Sequence, residues 1–222
     1  MFCPSDVLVP IYFQAVKGSS PAQSGLELLP LMLSLVIMSI IVGGLVTAFG
    51  QYAIFIIIGS AIFTVGAGLM TLYTVDQPDW RAYGFMIVAG AGGGISIQNA
   101  FLSVQAVLTQ SQLPIGNAIV MFSNTFAGAI FLAISNSVLS NGLVTQIQQR
   151  IPSIDPQEIV MAGATGIRNI VSAAQLPEVL LAYNSAVRDV FIMAIVTGCL
   201  SFAASFGFEW KSLKGKNLAA GV

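Results

Sequence analysis

In the long uncharged parts of this sequence, the polar side chains whose spacing suggests a binding site are carboxamides. Gln98 and Gln105 lie seven residues apart, which places both on one face of a helix, and Asn99 lies beside that face. Asn124 and Phe131 repeat the spacing of seven further along the chain. A carboxamide donates and accepts hydrogen bonds without carrying charge. Such rows can therefore contact a neutral or amphipathic organic molecule, or each other.

Two interpretations of these amide rows remain open. Amides are unfavourable in an apolar environment without partners, so both rows should face protein or water rather than lipid. In the first interpretation the amides form hydrogen bonds between neighbouring helices. In the second they line a wet, amphipathic cavity.

Catalytic and metal-binding chemistry is poorly supported by the composition. The sequence has no histidine, which removes the commonest metal ligand and general base. The uncharged runs hold no aspartate that could serve an intramembrane protease. A net charge of -1 offers no basic surface to nucleic acid. We therefore expect a protein that is not an enzyme, with no cofactor, no metal and no nucleic-acid partner.

The elements that must position the amides are long apolar helices. Of the 222 residues, 56% are hydrophobic and 8% are charged, and the mean hydropathy is +0.87. Asp, Glu, Lys and Arg are absent from residues 28–75, 82–149 and 190–208. Apolar runs of about 20 residues are long enough to cross a bilayer as helices. The sequence thus predicts an all-α polytopic membrane protein whose helices contact the lipid bilayer.

We expect five complete membrane spans and one partial span at the N-terminus, with all of residues 1–222 forming one transmembrane unit. Residues 140–185 are interpreted as a long hydrophilic connection containing a short helix from Pro156 to about Met161, ended by Gly163 and Gly166. Lysines in the tail, 209–222, place that tail in the cytosol and the connection outside it. The predicted spans are 1–16 (partial), 26–49, 53–73, 83–108, 115–139 and 186–208.

Glycine is concentrated where two helices could approach closely. Gly90 and Gly94 bracket the run Gly-Ala-Gly-Gly-Gly of the fourth span, and Gly128 shares the face of Asn124. Such glycines permit tight helix packing in membranes, or allow one helix to slide or bend against another. The third span, 53–73, offers few polar groups and is predicted to face lipid.

Several segments together resemble the fungal drug:proton antiporters with fourteen spans, a branch of the major facilitator superfamily. Residues 8–25 (LVPIYFQAVKGSSPAQSG) carry the clearest part of the resemblance. Residues 43–50 (GGLVTAFG), the glycine-rich fourth span ending at Gln98, 114–116 (PIG), 163–168 (GATGIR) and 181–186 (LAYNSA) fit the same pattern. One departure is Ala48, where relatives usually have an arginine.

This resemblance implies that the chain is the C-terminal six-helix half of an efflux pump for toxins, drugs or secondary metabolites, entered within its first helix. The first and fourth spans would line the central cavity, and the second and fifth would flank it. An amphipathic substrate would contact Gln98, Asn99, Gln105 and Asn124, with Tyr12 and Phe131 supplying aromatic surface. The two halves would rock about this site to give alternating access, and the plasma membrane is the expected location.

The coupling mechanism and the completeness of the chain lead to further hypotheses. No carboxylate is predicted at mid-membrane depth, so any proton carrier should lie in an N-terminal transporter half that this sequence lacks. Glu27, Asp189 and Glu209 lie at span ends, where solvated charges are expected. The chain could be a truncated product or gene-model fragment of an exporter. Alternatively, it is a six-span carrier that pairs with another half, or a remnant without transport activity.

Overall fold

The structure, a computed structural model, describes residues 5–208 and consists of helices and their connections. Helix α1 (Ser5–Tyr12) continues into a π-helical turn (Phe13–Lys17), and α2 (Pro21–Glu27) leads directly into α3 (Leu29–Phe49). The remaining helices are α4 (Tyr52–Met70), α5 (Asp79–Val107), α6 (Leu113–Arg150), α7 (Pro156–Ile170) and α8 (Leu176–Ser205).

The all-α polytopic fold predicted from the sequence is confirmed. Residues 5–208 contain no β-strand. Five helical segments in that range are long and apolar enough to cross a membrane, namely Pro21–Phe49, Tyr52–Met70, Asp79–Val107, Leu113–Arg150 and Leu176–Ser205. The predicted cytosolic tail, 209–222, and the first four residues of the predicted partial span lie outside the described residues.

Prolines and short polar side chains start the helices, and glycines end several of them. Ser20 caps α2 by accepting a hydrogen bond from the backbone N–H of Gln23, and Pro21 follows in the first turn. Gly18 ends the π-helical turn at φ 78°, and Gly50 ends α3 at φ 78°. Both glycines are in the left-handed region, which suits a helix C-terminus because glycine has no Cβ.

Helix α5 is the centre of the bundle because its glycines allow two helices to approach it at once. A Cβ added at Gly94 would collide with the backbone carbonyl of Leu35 on α3. A Cβ added at Gly92 would collide with the backbone of Phe63 on α4. The glycine run is therefore a packing surface on two sides of α5, between α3 and α4.

Helix α4 is not simply a lipid-facing helix, so the expectation for the third span is wrong for one of its faces. Phe63 and Ala67 are buried among its neighbours, and a Cβ added at Gly66 would lie 2.5 Å from the Cα of Ala89 on α5. Gly198 of α8 approaches Thr64 just as closely, so α4 lies between α5 and α8. The sequence analysis did not predict this packed face because it contains small residues and few polar ones.

The connection predicted from residue 140 onward is mostly helical. Helix α6 continues past the predicted end of the fifth span to Arg150 because Leu139, Leu143 and Ile147 recur every four residues and are buried. Helix α7 runs to Ile170 rather than ending near Met161. Its buried residues are Ile159 and Ile167, and between them Gly163 kinks the helix at φ 65° and ψ 179°.

Candidate functional site

Gln98 lies where α5 meets α3. Its side chain is half-buried, and its Oε1 accepts a hydrogen bond of 3.3 Å from the hydroxyl of Ser39. A Cβ added at Gly43 would lie 3.6 Å from the Nε2 of Gln98, so the amide packs directly on α3. Gly90 and Gly94 share this side of α5 and pack on Leu31 and Leu35. The amide thus takes part in a hydrogen bond between helices.

Asn99 and Gln105 occupy different environments on the same helix. Asn99 is fully buried, and its Nδ2 donates a hydrogen bond of 2.7 Å to the carbonyl of Ile95 one turn earlier. Within residues 5–208 its Oδ1 has no hydrogen-bond partner, which is unusual for a buried acceptor. Gln105 is half-buried near the end of α5 that joins α6. The fourth-span amides are therefore not equivalent.

The predicted row on α6 forms a half-buried face in the first part of the helix, where most other side chains are exposed. Asn124 and Phe131 are half-buried, and Gly128 between them is buried. At the start of the helix, Gly116 packs against the side chains of Val104 on α5 and of Leu108, the residue that follows α5. Helices α5 and α6 therefore meet closely beside the turn that connects them.

Large apolar side chains on α3 and α6 have no cover within the described part of the chain. In the most apolar stretch of each helix, 17% of residues are buried in the segment containing α3 and 11% in α6, against 50% in α5. On α3 the exposed residues include Leu33, Ile37, Ile40 and Ile41, and on α6 they include Ile115, Ile119, Phe122, Phe126 and Ile130.

Tyr12 lies in a buried aromatic cluster and not beside Gln98. Its side chain is 0% exposed, and its hydroxyl donates to the carbonyl of Thr74 at 2.9 Å and accepts from the Nε2 of Gln77 at 3.2 Å. Its ring lies 4.7 Å from that of Tyr73. Gln98 lies further along α5 than Asp79 by about 28 Å of helix rise. The structure therefore separates Tyr12 from the amides that it was predicted to accompany.

The turn between α4 and α5 is held by side chains from distant parts of the chain. Lys17 forms an ion pair of 3.4 Å with Asp79 and donates a hydrogen bond to the carbonyl of Gln77. Asn184 of α8 donates to the carbonyl of Tyr73 at 2.9 Å. Burial, reinforced by the neighbouring Tyr12, raises the pKa of Tyr73, so its hydroxyl stays protonated and donates to the carbonyl of Ala82.

Arg168 ties α7 to the end of the first helical segment. Its Nη2 donates a hydrogen bond of 3.1 Å to the carbonyl of Val16, and its guanidinium stands over the left-handed Gly18. A Cβ at Gly18 would lie 2.8 Å from the Nε of Arg168. The sequence analysis did not predict this contact between α7 and the first helical segment. Gly18 and Arg168 both lie in segments that carry the family resemblance, and this shared feature could have suggested the contact.

Of the carboxylates predicted at span ends, Glu27 lies at the end of α2, whereas Asp189 lies near the middle of α8, so the expectation for Asp189 is wrong. Glu27 is half-buried and accepts hydrogen bonds from Ser19 and Gln23, at 3.0 and 3.2 Å. Asp189 is exposed and borders an open groove of about 590 Å³ between α6 and α8, together with Ser137, Asn141 and Thr145. Residues 5–208 hold no group of three His, Cys, Asp or Glu side chains that could bind a metal ion.

The sequence of this chain is similar to sequences of proteins that are named as transporters. Efflux pump aflT of Aspergillus parasiticus is 39% identical over 93% of the chain, and efflux pump roqT of Penicillium rubens is 35% identical over 93%. The MFS-type transporter astH of Aspergillus oryzae is 39% identical over 95%. Across nearly its whole length, the chain is homologous to fungal MFS-type transporters.

The homology covers only part of each relative. The chain spans 40% of aflT, 37% of astH and 38% of roqT. No protein-family model matches the chain. These relatives are named as efflux pumps or transporters, and the five long apolar helices of residues 5–208 fit a multi-pass membrane protein. The exposed surfaces of α3 and α6 fit these relatives, each of which contains a great deal of sequence beyond the matched region.

Proposed function

We propose that this chain is the C-terminal half of a transporter that exports amphipathic small organic molecules by alternating access. The main support is the pairing of two findings. Efflux pumps are homologous to almost the whole chain. The structure also leaves the apolar surfaces of α3 and α6 uncovered, which are the surfaces that a second helical half would bury. In such transporters the two halves rock about a site near the middle of the membrane.

The proposed binding surface consists of Gln98, Gln105, Asn124 and Phe131. All four are half-buried, so each keeps part of its surface available beside the second half. Their amides supply donors and acceptors, while Phe131 supplies an apolar ring. A mostly apolar cavity with a few uncharged polar groups suits amphipathic molecules of varied shape. Discrimination among substrates would then depend on cavity shape more than on charge.

The remaining predicted site residues support this surface and do not contact the substrate in the proposal. Asn99 is buried inside the bundle, and Tyr12 is buried beneath the turn between α4 and α5. Gly90 and Gly94 allow the close approach of α3 and α5, and the buried Gly128 lies between Asn124 and Phe131 on α6. If α5 moves against α3 during transport, the two helices would slide or bend at this glycine contact.

Proton coupling, if this transporter uses it, is assigned to the other half. A proton carrier inside a membrane needs a titratable group near the middle of a span. In the five described candidate spans the carboxylates lie towards helix ends, with the exception of Asp189. Asp189 lies near the middle of α8, but it is exposed and borders the open groove between α6 and α8, so the proposal does not assign it the role of proton carrier. The proposed location is the plasma membrane, where export removes a compound from the cell.

The test is transport by a reassembled pump. The chain is expressed in yeast together with the N-terminal region of aflT, and export of a fluorescent amphipathic dye is measured. Export should need both polypeptides, and Asn124→Leu or Gln105→Leu should reduce it at least fivefold. Ile119→Leu, an apolar change on the exposed side of α6, is the matched control.

Copurification of the two polypeptides shows whether each variant still assembles. A pair that assembles but never exports the dye would contradict the proposed function. Full export by both amide variants would contradict the proposed binding surface. Export by the chain without a second half would contradict the half-transporter and favour a carrier that pairs with itself.

A further inference from the structure

A separate cavity lies beneath the kink of α7. Its volume is about 150 Å³, and helices α1, α6, α7 and α8 all contribute to its lining. Most of the lining is apolar, including Ile11 of α1, Leu139 and Leu143 of α6, and Val160 of α7. The cavity is open on one side, and an apolar space of about this volume accommodates a molecule the size of benzene. None of the amides of the proposed transport surface lines it.

The backbone of α7 maintains this cavity. Gly163 lines it, and its φ of 65° with ψ of 179° is a conformation that is essentially restricted to glycine. A Cβ added at Gly163 would have no heavy atom within 4 Å. The kink therefore changes the direction of α7 and does not fill the cavity beside Gly163. On either side of the kink, Ile159 and Ile167 are fully buried and anchor α7 to the bundle. The space between these anchors is therefore a stable feature of the fold.

Two hydroxyl groups give the cavity a polar side. Tyr183 of α8 is 3% exposed and Ser140 of α6 is half-buried, and both line the cavity. Neither hydroxyl hydrogen-bonds to the described part of the chain. The hydroxyl oxygen of Tyr183 is not fully enclosed by the described residues, so it is accessible from the cavity. It can donate a hydrogen bond to an oxygen atom on a bound molecule, and no charged side chain lines the cavity to attract an ion.

We propose that this cavity binds a small neutral ring compound that carries one oxygen atom. The ring lies against the leucine and valine side chains, and the oxygen hydrogen-bonds to the hydroxyl of Tyr183. The volume limits the ligand to a single ring with few substituents. The site lies outside the proposed transport surface, and its existence does not depend on the proposed function.

The experiment uses fluorine NMR with the full chain in phosphatidylcholine nanodiscs, and nanodiscs without protein as the baseline. The probes are 4-fluorophenol and fluorobenzene, which differ by one oxygen. Both should bind saturably above the baseline. Tyr183→Phe should weaken 4-fluorophenol about fivefold, the loss expected for one hydrogen bond, and leave fluorobenzene unchanged.

A bulky substitution tests the location of the site. Val160→Trp should abolish binding of both probes, whereas Met161→Trp should not, because Met161 is 78% exposed on the same helix. If Val160→Trp does not fold, Ala164→Leu takes its place, since Ala164 also lines the cavity. No saturable binding by the unmodified chain, or unchanged binding by the filled variant, would overturn the proposal. Equal effects of Tyr183→Phe on both probes would also overturn it.

Discussion

Tyr12 illustrates how a polar side chain can be deeply buried without leaving its polar atom unsatisfied. Its hydroxyl bonds to Thr74 and Gln77, and its ring packs on Tyr73 and Phe13. All of these partners except Phe13 are distant in sequence. The residue therefore joins the first helical segment to the turn between α4 and α5. Its role in this structure is to position that segment.

We predict that Tyr12→Phe lowers the free energy of unfolding by about 1–3 kcal/mol, because it removes the partner of the buried Gln77 Nε2 and of the Thr74 carbonyl. Tyr83→Phe is the matched control. Tyr83 is half-buried, and its hydroxyl has no hydrogen bond to the described part of the chain, so its loss should change stability by less than about 0.5 kcal/mol. Thermal unfolding in detergent measures both. Equal stability of the two variants would contradict the assigned role of Tyr12.

Sequence reasoning identified the amides on the helices but could not assign an environment to each. Spacing places Gln98 and Gln105 on one face, yet Gln98 bonds to Ser39 and Asn99 is fully buried. The partner of Gln98 lies 59 residues away, so the period of one helix carries no information about it. Tyr12 was misplaced for a similar reason, since its partners lie 62 and 65 residues away.

The helices themselves were more predictable than their contacts. Uncharged apolar runs located the long helices, because a bilayer requires about 20 apolar residues per span. The end of α6 was misjudged since Asn141, Thr145 and Gln146 suggested a loop, while buried Leu143 and Ile147 continue the helix. An amphipathic helix that extends beyond an apolar span has a lower overall hydropathy, and composition alone treats it as a connection.

The packing of α5 on α3 should be sensitive to a single methyl group. We predict that Gly94→Ala destabilises the protein by about 1–3 kcal/mol, because the new Cβ collides with the carbonyl of Leu35. Gly84→Ala, on the same helix, has no heavy atom within 4 Å of the new Cβ. It should be neutral or stabilising, since alanine favours a helix by about 1 kcal/mol over glycine. Thermal unfolding should therefore show a lower midpoint for Gly94→Ala and an unchanged or higher midpoint for Gly84→Ala, and destabilisation of both to the same extent would refute the close approach.

The attachment of α7 should depend on Arg168. We predict that Arg168→Met frees the carbonyl of Val16 and increases proteolysis within residues 151–175 at least threefold, while the rest of the chain stays protected. Arg150→Met is the control, because Arg150 pairs with Glu178 at 3.6 Å in an exposed position and such pairs contribute little. Limited proteolysis followed by mass spectrometry locates the cuts. Equal protection of both variants would show that Arg168 does not hold α7.

For the molecule as a whole, the uneven distribution of exposure is the main clue to assembly. Helix α5 is enclosed by α3 and α4, whereas α6 exposes a line of isoleucine and phenylalanine side chains. Lipid can cover apolar surface, but it cannot satisfy the amide of Gln105, which has no hydrogen bond to the described part of the chain. In the proposed transporter, a second half covers the apolar surface and encloses water beside this amide.

The central claim is that the amides of α5 and α6 face a water-filled cavity in the assembled transporter. The most direct measurement is the rate of maleimide labelling at Gln105→Cys and Asn124→Cys, in a background with Cys3 and Cys199 replaced by serine. Ile58→Cys, on the exposed side of α4, is the lipid-facing reference. With the second half present, both cysteines should react at least tenfold faster than the reference, and a transported dye should slow them. Labelling as slow as that of Ile58→Cys would contradict the claim.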